Sequence, residues 1–324
     1  MVGGTEVGQY GDTTVRAVED FQAARGLRAT GSCDTATWLA LVEASWRLGD
    51  RLLHLSAPNM RGDDVSELQG ALARLGFDCG RVDGILGPAT VHALTDFQRN
   101  CGLPADSVCG PDTVRALDML TRQSGSGPGV ATLRELESLT SARRTLGDLR
   151  IVIGQFGGLS ALTRQLARAL RQRSATVAPT DEPDASAQAA TANRFAATVY
   201  VGFEARAEPT STVCYYAVPT FESVGGRSLA EALRRDLAGG GIDVGVHGMR
   251  LPVLRETRMP AVLCTIGPVQ RVIDATPSIV ECAVRALETW ADSPLTTPDT
   301  YPPTHPPTNP PTHPPTNPDT HRDT

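Results

Sequence analysis

The sequence predicts a multidomain chain: small all-α three-helix repeats, then an α/β domain, then a disordered tail rich in proline and threonine. Three observations predict it. Residues 11–41 reappear, without a gap, as residues 87–117. Between residues 149 and 292, short apolar runs alternate with segments of helical periodicity. From Thr304 onward there is no aliphatic side chain, and short Pro/Thr blocks recur.

The repeat is the strongest signal. Phe21-Gln22 aligns with Phe97-Gln98, Gly26-Leu27 with Gly102-Leu103, Cys33 with Cys109, Thr37 with Thr113 and Leu41 with Leu117. Self-similarity at a fixed offset means one small structural unit used twice. In the second copy, Asp64 is an N-cap signal, and Val65, Leu68, Leu72 and Leu75 follow at helical spacing. Gly76 stops that helix. Residues 82–87 form a turn whose glycines permit positive φ, and Pro88 suits a first helical turn. Val91, Leu94 and Phe97 mark a second helix, and Val114 and Leu117 a short third one beginning near Gly110-Pro111.

These limits give repeat 1 over 1–48, repeat 2 over 60–122, a linker with a helix over 123–148, the α/β domain over 149–292 and the tail over 293–324. The linker assignment rests on residues 123–129, rich in Gly and Ser. In the α/β region the expected strands lie at 149–153, 198–203, 213–218 and within 259–266. Helices are expected at 159–173, 185–195, 227–237 and 279–290. Alternation of this kind predicts a parallel or mixed sheet covered on both faces.

Composition narrows the function. The formal net charge of −6 over 324 residues argues against a nucleic-acid partner. No apolar run reaches membrane-spanning length. Residues 1–10 lack a basic segment followed by an apolar one, so no secretory signal is expected. Seven cysteines without a Cys-x-x-Cys pair favour free thiols in a reducing compartment. Together these predict a cytoplasmic protein.

The turn-and-helix pattern resembles the peptidoglycan-binding domain found beside bacterial cell-wall hydrolases. It is carried by Asp83, Gly84, Gly87, Thr90, Phe97 and Gln98 in repeat 2, and by Gly11, Thr14, Phe21 and Gln22 in repeat 1. The resemblance implies peptidoglycan or its precursors as a partner. Repeat 1 departs from the pattern, because the helix equivalent to residues 64–75 would fall before Met1. The expectation is a start upstream of Met1; the alternative is cover borrowed from Trp38, Trp46 and residues 52–55.

Residues 149–292 resemble zinc-dependent N-acetylmuramoyl-L-alanine amidases. The closest stretch is Leu254-Arg255, then Met259-Pro260-Ala261-Val262-Leu263-Cys264-Thr265-Ile266-Gly267, where the family reads Leu-Arg…Met-Pro-Ala-Val-Leu-Val-Glu-Ile-Gly. The resemblance implies a zinc held by two histidines and a glutamate, with a second glutamate as general base. Those ligand positions fall near Gly157, Leu159 and Phe203, and the base at Thr265. Active relatives carry zinc; here every such position is substituted, so the expected reading is a non-catalytic, amidase-like protein with no cofactor. Glu204 lies one residue past Phe203, and His247 reads as an ordinary loop residue.

The order of parts is similar to the CwlM-type actinobacterial group. That resemblance implies a regulator or scaffold of peptidoglycan synthesis that works with an enolpyruvyl transferase of precursor synthesis and a Ser/Thr kinase. The alternative is an exported amidase cutting cell-wall peptidoglycan. Candidate phosphorylation sites are Thr304, Thr308, Thr312, Thr316 and Thr320, where phosphate would add about −1.5 to −2 charge. His305, His313 and His321 in the same tail read as a spacer rather than a metal tract. An upstream start predicts that mass spectrometry of the native protein will find neither Met1 nor Val2 as the mature end; finding either removes that expectation.

Overall fold

The computed structural model describes residues 8–123, 129–140, 144–218 and 221–295. The tail, with its candidate phosphorylation sites, and most of the Gly/Ser linker lie outside the described residues.

Repeat 1 contributes α1 (Asp12–Ala24) and α2 (Thr35–Ala44). Repeat 2 contributes α3 (Asp63–Arg74), α4 (Pro88–Asn100) and α5 (Pro111–Gln123). Helix α3 starts one residue before the expected cap. Gly62 is the N-cap, while Asp64 sits inside the first turn with its carboxylate held by Arg51 Nε at 2.6 Å. In the turn before α4, Gly84 has the positive φ of +71° that a Cβ would strain, with Gly62 O already 3.0 Å from where that Cβ would stand. Gly87 instead is extended, as an N-cap. The core of repeat 2 joins Val65, Leu68 and Leu72 of α3 to Leu94 and Phe97 of α4 and Leu117 of α5, all buried.

Of the residues proposed as cover for repeat 1, Trp38 is 60% exposed and Leu52 and Leu55 are exposed too, whereas Leu53 is buried in the cluster of the repeat 2 core. Trp46 lies under Arg51 at 4.5 Å. Repeat 1 is held through contacts with repeat 2 and the α/β domain described below.

Three glutamines explain why the repeats keep their shape. Gln98 Nε2 donates to Asp106 Oδ1 (2.8 Å), Val108 O (3.0 Å) and Thr113 Oγ1 (3.2 Å), and its Oε1 accepts from Ser107 N. Gln22 does the same to Ser32 O, Thr30 Oγ1 and Thr37 Oγ1 while accepting from Thr30 N and Gly31 N. Gln69 ties Asp83, Ile85 O and Thr90 and accepts from Asp83 N and Gly84 N. Each amide stands in for the backbone ladder that an irregular loop lacks, so the buried polar groups of the loop are satisfied.

The α/β domain follows α6 (Val130–Thr140). Its elements are β1 (Arg150–Phe156), α7 (Ser160–Arg171), β2 (Thr176–Thr180), α8 (Ala185–Arg194), β3 (Val199–Ala205), β4 (Thr212–Val218), β5 (Phe221–Glu222), α9 (Val224–Gly239), β6 (Gly245–Met249), α10 (Pro252–Glu256), β7 (Ala261–Ile266), α11 (Val269–Asp274) and α12 (Thr276–Asp292). The sheet runs β2-β1-β3-β7-β4-β5, with β6 also on β4. β2, β1, β3 and β7 are parallel, and β4 is antiparallel to β7, so the sheet is mixed. Strand alternation splits the side chains. Ile151, Ile153, Val201, Phe203, Val262 and Cys264 join the core under α7, α9 and α12. Val152, Tyr200, Cys214, Tyr216 and Leu263 face the other way and share one apolar cluster with repeat 2. Repeat 2 thus packs directly on the sheet, and Tyr216 donates its hydroxyl to Val82 O at 3.1 Å.

Replacing Gln98 by Ala leaves the Asp106–Val108 loop and Thr113 without their buried partner. We expect a loss of about 1–3 kcal/mol of stability, measured by denaturant unfolding, with the fold otherwise retained.

Candidate functional site

In parallel sheets, ligands bind beyond the carboxyl ends of the strands. Here that edge is formed by the paired residues Phe156, Glu204 and Thr265 of β1, β3 and β7. Their common register places them on the sheet face toward the repeats. Phe203, where the resemblance sets the third zinc ligand, points the opposite way into the core and is fully buried. The residue beside the base position Thr265 is therefore Glu204: Thr265 Oγ1 donates to Glu204 Oε2 at 3.4 Å. Strand alternation thus turns Phe203 away from this edge and Glu204 toward it.

Glu204 is already occupied. Arg28, from the loop between α1 and α2, forms an ion pair with its Oε2, and Arg206 Nε lies 3.9 Å from the same oxygen. The other two positions carry no donor either. Gly157 has no side chain and a φ of +85°, and Leu159 is buried in the core at the start of α7. One carboxylate between two guanidiniums is the reverse of a zinc donor set, which needs three neutral or anionic ligands around the metal. Among the described residues, no three His, Cys, Asp or Glu side chains cluster so as to hold a metal ion. The residues present do not fit zinc. His247 lies exposed on β6, opposite Cys214. Burial pushes the Cys214 thiol up from its ordinary range.

A cleft of about 330 Å³ lies between this edge and repeat 1, lined among others by Arg28, Arg206, Thr212, Cys214, His247 and Thr265. Repeat 1 forms its roof and is bolted down by charge. Glu43, at the end of α2 and only 8% exposed, accepts from Arg255 Nη1 at 2.9 Å and from Arg250 Nη2 at 3.0 Å. Arg250 Nη1 also reaches Asp63 at 3.2 Å, and Asp63 pairs with Arg25. Arg255 Nε continues to Asp83 O at 2.6 Å. The backbone adds Arg250 N to Gly26 O at 2.9 Å. One network therefore joins both repeats to the α10 region.

The residues expected to bind peptidoglycan mostly have structural work. Gln22, Gln98 and Thr90 are buried and fully used in the loop ties, and Phe97 is core. Phe21 is half-buried beneath Arg25, at 5.4 Å. Gly11 and Gly87 are the N-caps of α1 and α4, and Thr14 N bonds back to Gly11 O. Asp83 accepts from Gln69 and from Ile85 N; burial pushes its carboxyl up against those hydrogen bonds. Arg28, Glu43, Arg250 and Arg255 were not singled out from the sequence. Arg255 stood inside the quoted amidase-like motif, but nothing local shows that its partner is Glu43.

The geometry defines a class: an amidase-type α/β domain whose sheet edge is roofed by a peptidoglycan-binding repeat. A model described as "Putative peptidoglycan binding domain" matches residues 2–41 and 61–117. The chain is 37% identical over 288 residues to the N-acetylmuramoyl-L-alanine amidase CwlM of Mycobacterium tuberculosis, covering 78% of this chain and 70% of that protein. It belongs to the CwlM family. A probable N-acetylmuramoyl-L-alanine amidase of Bacillus licheniformis is 37% identical over 121 residues, and the match spans 33% of this chain and 34% of that relative's length. Among solved structures, the chain is similar to the amidase Ami1 of Mycobacterium smegmatis, with TM-score 0.40, 16% identity, and coverage of 46% of this chain and 99% of the other.

Glu43→Ala would leave the buried Arg255 without a carboxylate partner and Arg250 with Asp63 alone. The expected cost is about 3–5 kcal/mol, read by denaturant unfolding, with repeat 1 becoming sensitive to proteolysis before the α/β domain.

Proposed function

We propose that this protein is a non-catalytic, amidase-like regulator or scaffold of peptidoglycan synthesis, acting in the cytoplasm. The observation that carries the reading is the Arg28–Glu204 pair beside Thr265. Amide hydrolysis of this type needs a metal-activated water and a carboxylate to take its proton. At this edge the carboxylate is neutralised by a guanidinium, and a threonine hydroxyl occupies the base position. Threonine does not accept a proton near neutral pH.

Family membership and the peptidoglycan-binding repeats support a role tied to peptidoglycan or its precursors. The fixed seating of the repeats on the α/β domain supports a scaffold more than a tethered hydrolase. In such a role the partners would be an enolpyruvyl transferase of precursor synthesis and a Ser/Thr kinase, as the CwlM-type resemblance implies.

Elemental analysis of the purified protein, paired with a muropeptide-release assay on isolated sacculi, tests the reading. The expected outcome is sub-stoichiometric zinc and no release. Near-stoichiometric zinc with release would overturn it in favour of a peptidoglycan amidase.

A further inference from the structure

A second cleft, of about 590 Å³, lies on the same side of the sheet but away from the Arg28 edge, between repeat 2, α6 and the segment leading into β7. Its volume is within the range of about 300–1,000 Å³ usual for small-ligand sites. Pro88 and Ala89 of repeat 2, Ala131 of α6, and Met259 and Pro260 form small apolar walls.

The charges in this cleft are unbalanced. Its two acids are spent. Asp83 accepts from Gln69 Nε2 and Ile85 N. Glu135 caps the start of α9, accepting from Ser223 Oγ at 2.6 Å and from Val224 N and Gly225 N at 3.2 Å. Two of its cations retain unused donors. Arg81 donates Nη1 to Thr257 O, yet its Nη2 is buried with no hydrogen-bond partner. A buried guanidinium donor left unpaired is costly, and calls for a partner the chain itself does not supply. Arg258, exposed at the rim, has no partner for its side chain among the described residues. Arg134, the third cation, is paired with Asp78.

The aromatic faces are spent as well. Arg81 lies over the Tyr216 ring at 4.4 Å and the Phe221 ring at 5.6 Å. A sugar would want those faces for stacking and the acids for its hydroxyls, and neither is free. What remains is free guanidinium donors beside small apolar walls, which suits a carboxylate attached to small methyl-bearing groups.

We infer that this composite cleft binds a carboxylate-bearing peptide with small apolar side chains, its carboxylate engaging Arg81 and Arg258. The inference rests on the reading that the chain contacts peptidoglycan or its precursors, whose stem peptides have this chemistry. The C-terminus of a protein would offer the same groups. The full-length protein discriminates them by calorimetric titration with L-Ala-γ-D-Glu-L-Lys-D-Ala-D-Ala, with the same peptide ending in L-Ala-L-Ala, and with its C-terminal amide.

The expected result is saturable binding of the free acid, at least about ten-fold weaker for the amide. Arg258→Glu should weaken binding by a similar factor, while Arg168→Glu, an exposed cation on α7, should not. Preference for the D-Ala-D-Ala ending identifies a stem peptide; equal or better binding of the L-Ala-L-Ala ending identifies a protein C-terminus. No binding at millimolar peptide, equal affinity for the amide, or indifference to Arg258→Glu would overturn the inference. Loss of peptide binding with retained binding to sacculi would sink the cleft alone; absence of both would also remove peptidoglycan as the partner.

Discussion

The Glu43 carboxylate is the constraint on which the arrangement of this molecule depends. It belongs to repeat 1, yet both guanidiniums that neutralise it come from the segment around α10. Burying three charges is expensive, and their mutual attraction offsets the cost only with good geometry and further hydrogen bonds. Those further bonds supply the connectivity. Arg250 passes on to Asp63, and Arg255 to the backbone of Asp83 and Gly84. Repeat 1, repeat 2 and the α/β domain are thus fixed by one set of charges, in which removing Glu43 leaves Arg255 without a carboxylate and Arg250 with Asp63 alone. That geometry in turn delivers Arg28 to Glu204.

The same logic separates two uses of a sequence motif. The peptidoglycan-binding pattern is legible because its residues build the unit, not because they face a ligand. An apolar residue followed by glutamine occurs at Phe21-Gln22, Leu68-Gln69 and Phe97-Gln98, and each glutamine ties a loop to a threonine on the next helix. Only the first and third were recognised as equivalent, because Gln69 lies outside the aligned repeat. Any ligand must therefore be met by residues beside the motif. Arg81, just before it in the chain, faces a cleft that repeat 2 forms only together with the α/β domain.

Much of the architecture was legible in the sequence. The repeated helices and the strands β1, β3, β4 and β7 carry clean periodicity, because their apolar faces are buried by regular neighbours. The missed elements are of two kinds. β2 contains Pro179 and lies at the sheet edge, and β6, which pairs only with β4, has two glycines and an exposed histidine. Edge strands need no continuous apolar face and tolerate such residues. Helices α10 and α11 have five and six residues, too few for a period to show. Repeat 2 and the sheet share one apolar cluster. The composition of a linker says nothing of whether the surfaces of the units it joins fit.

The edge at Phe156, Glu204 and Thr265 has electrostatics of its own. A buried carboxylate is costly unless it is paired. Here the Glu204 carboxylate is paired with a cation from repeat 1. Arg28 reaches it from repeat 1, which Glu43, Gly26 O and Arg25 hold over the cleft, so the electrostatics of this edge and the seating of the repeat are coupled. Metal donors introduced at Gly157 or Leu159, with a carboxylate at Thr265, would not make a hydrolytic site while that guanidinium remains in place. The cation would compete with a divalent ion for the same carboxylate, and the repeat would still cover the strand ends from which a substrate must approach.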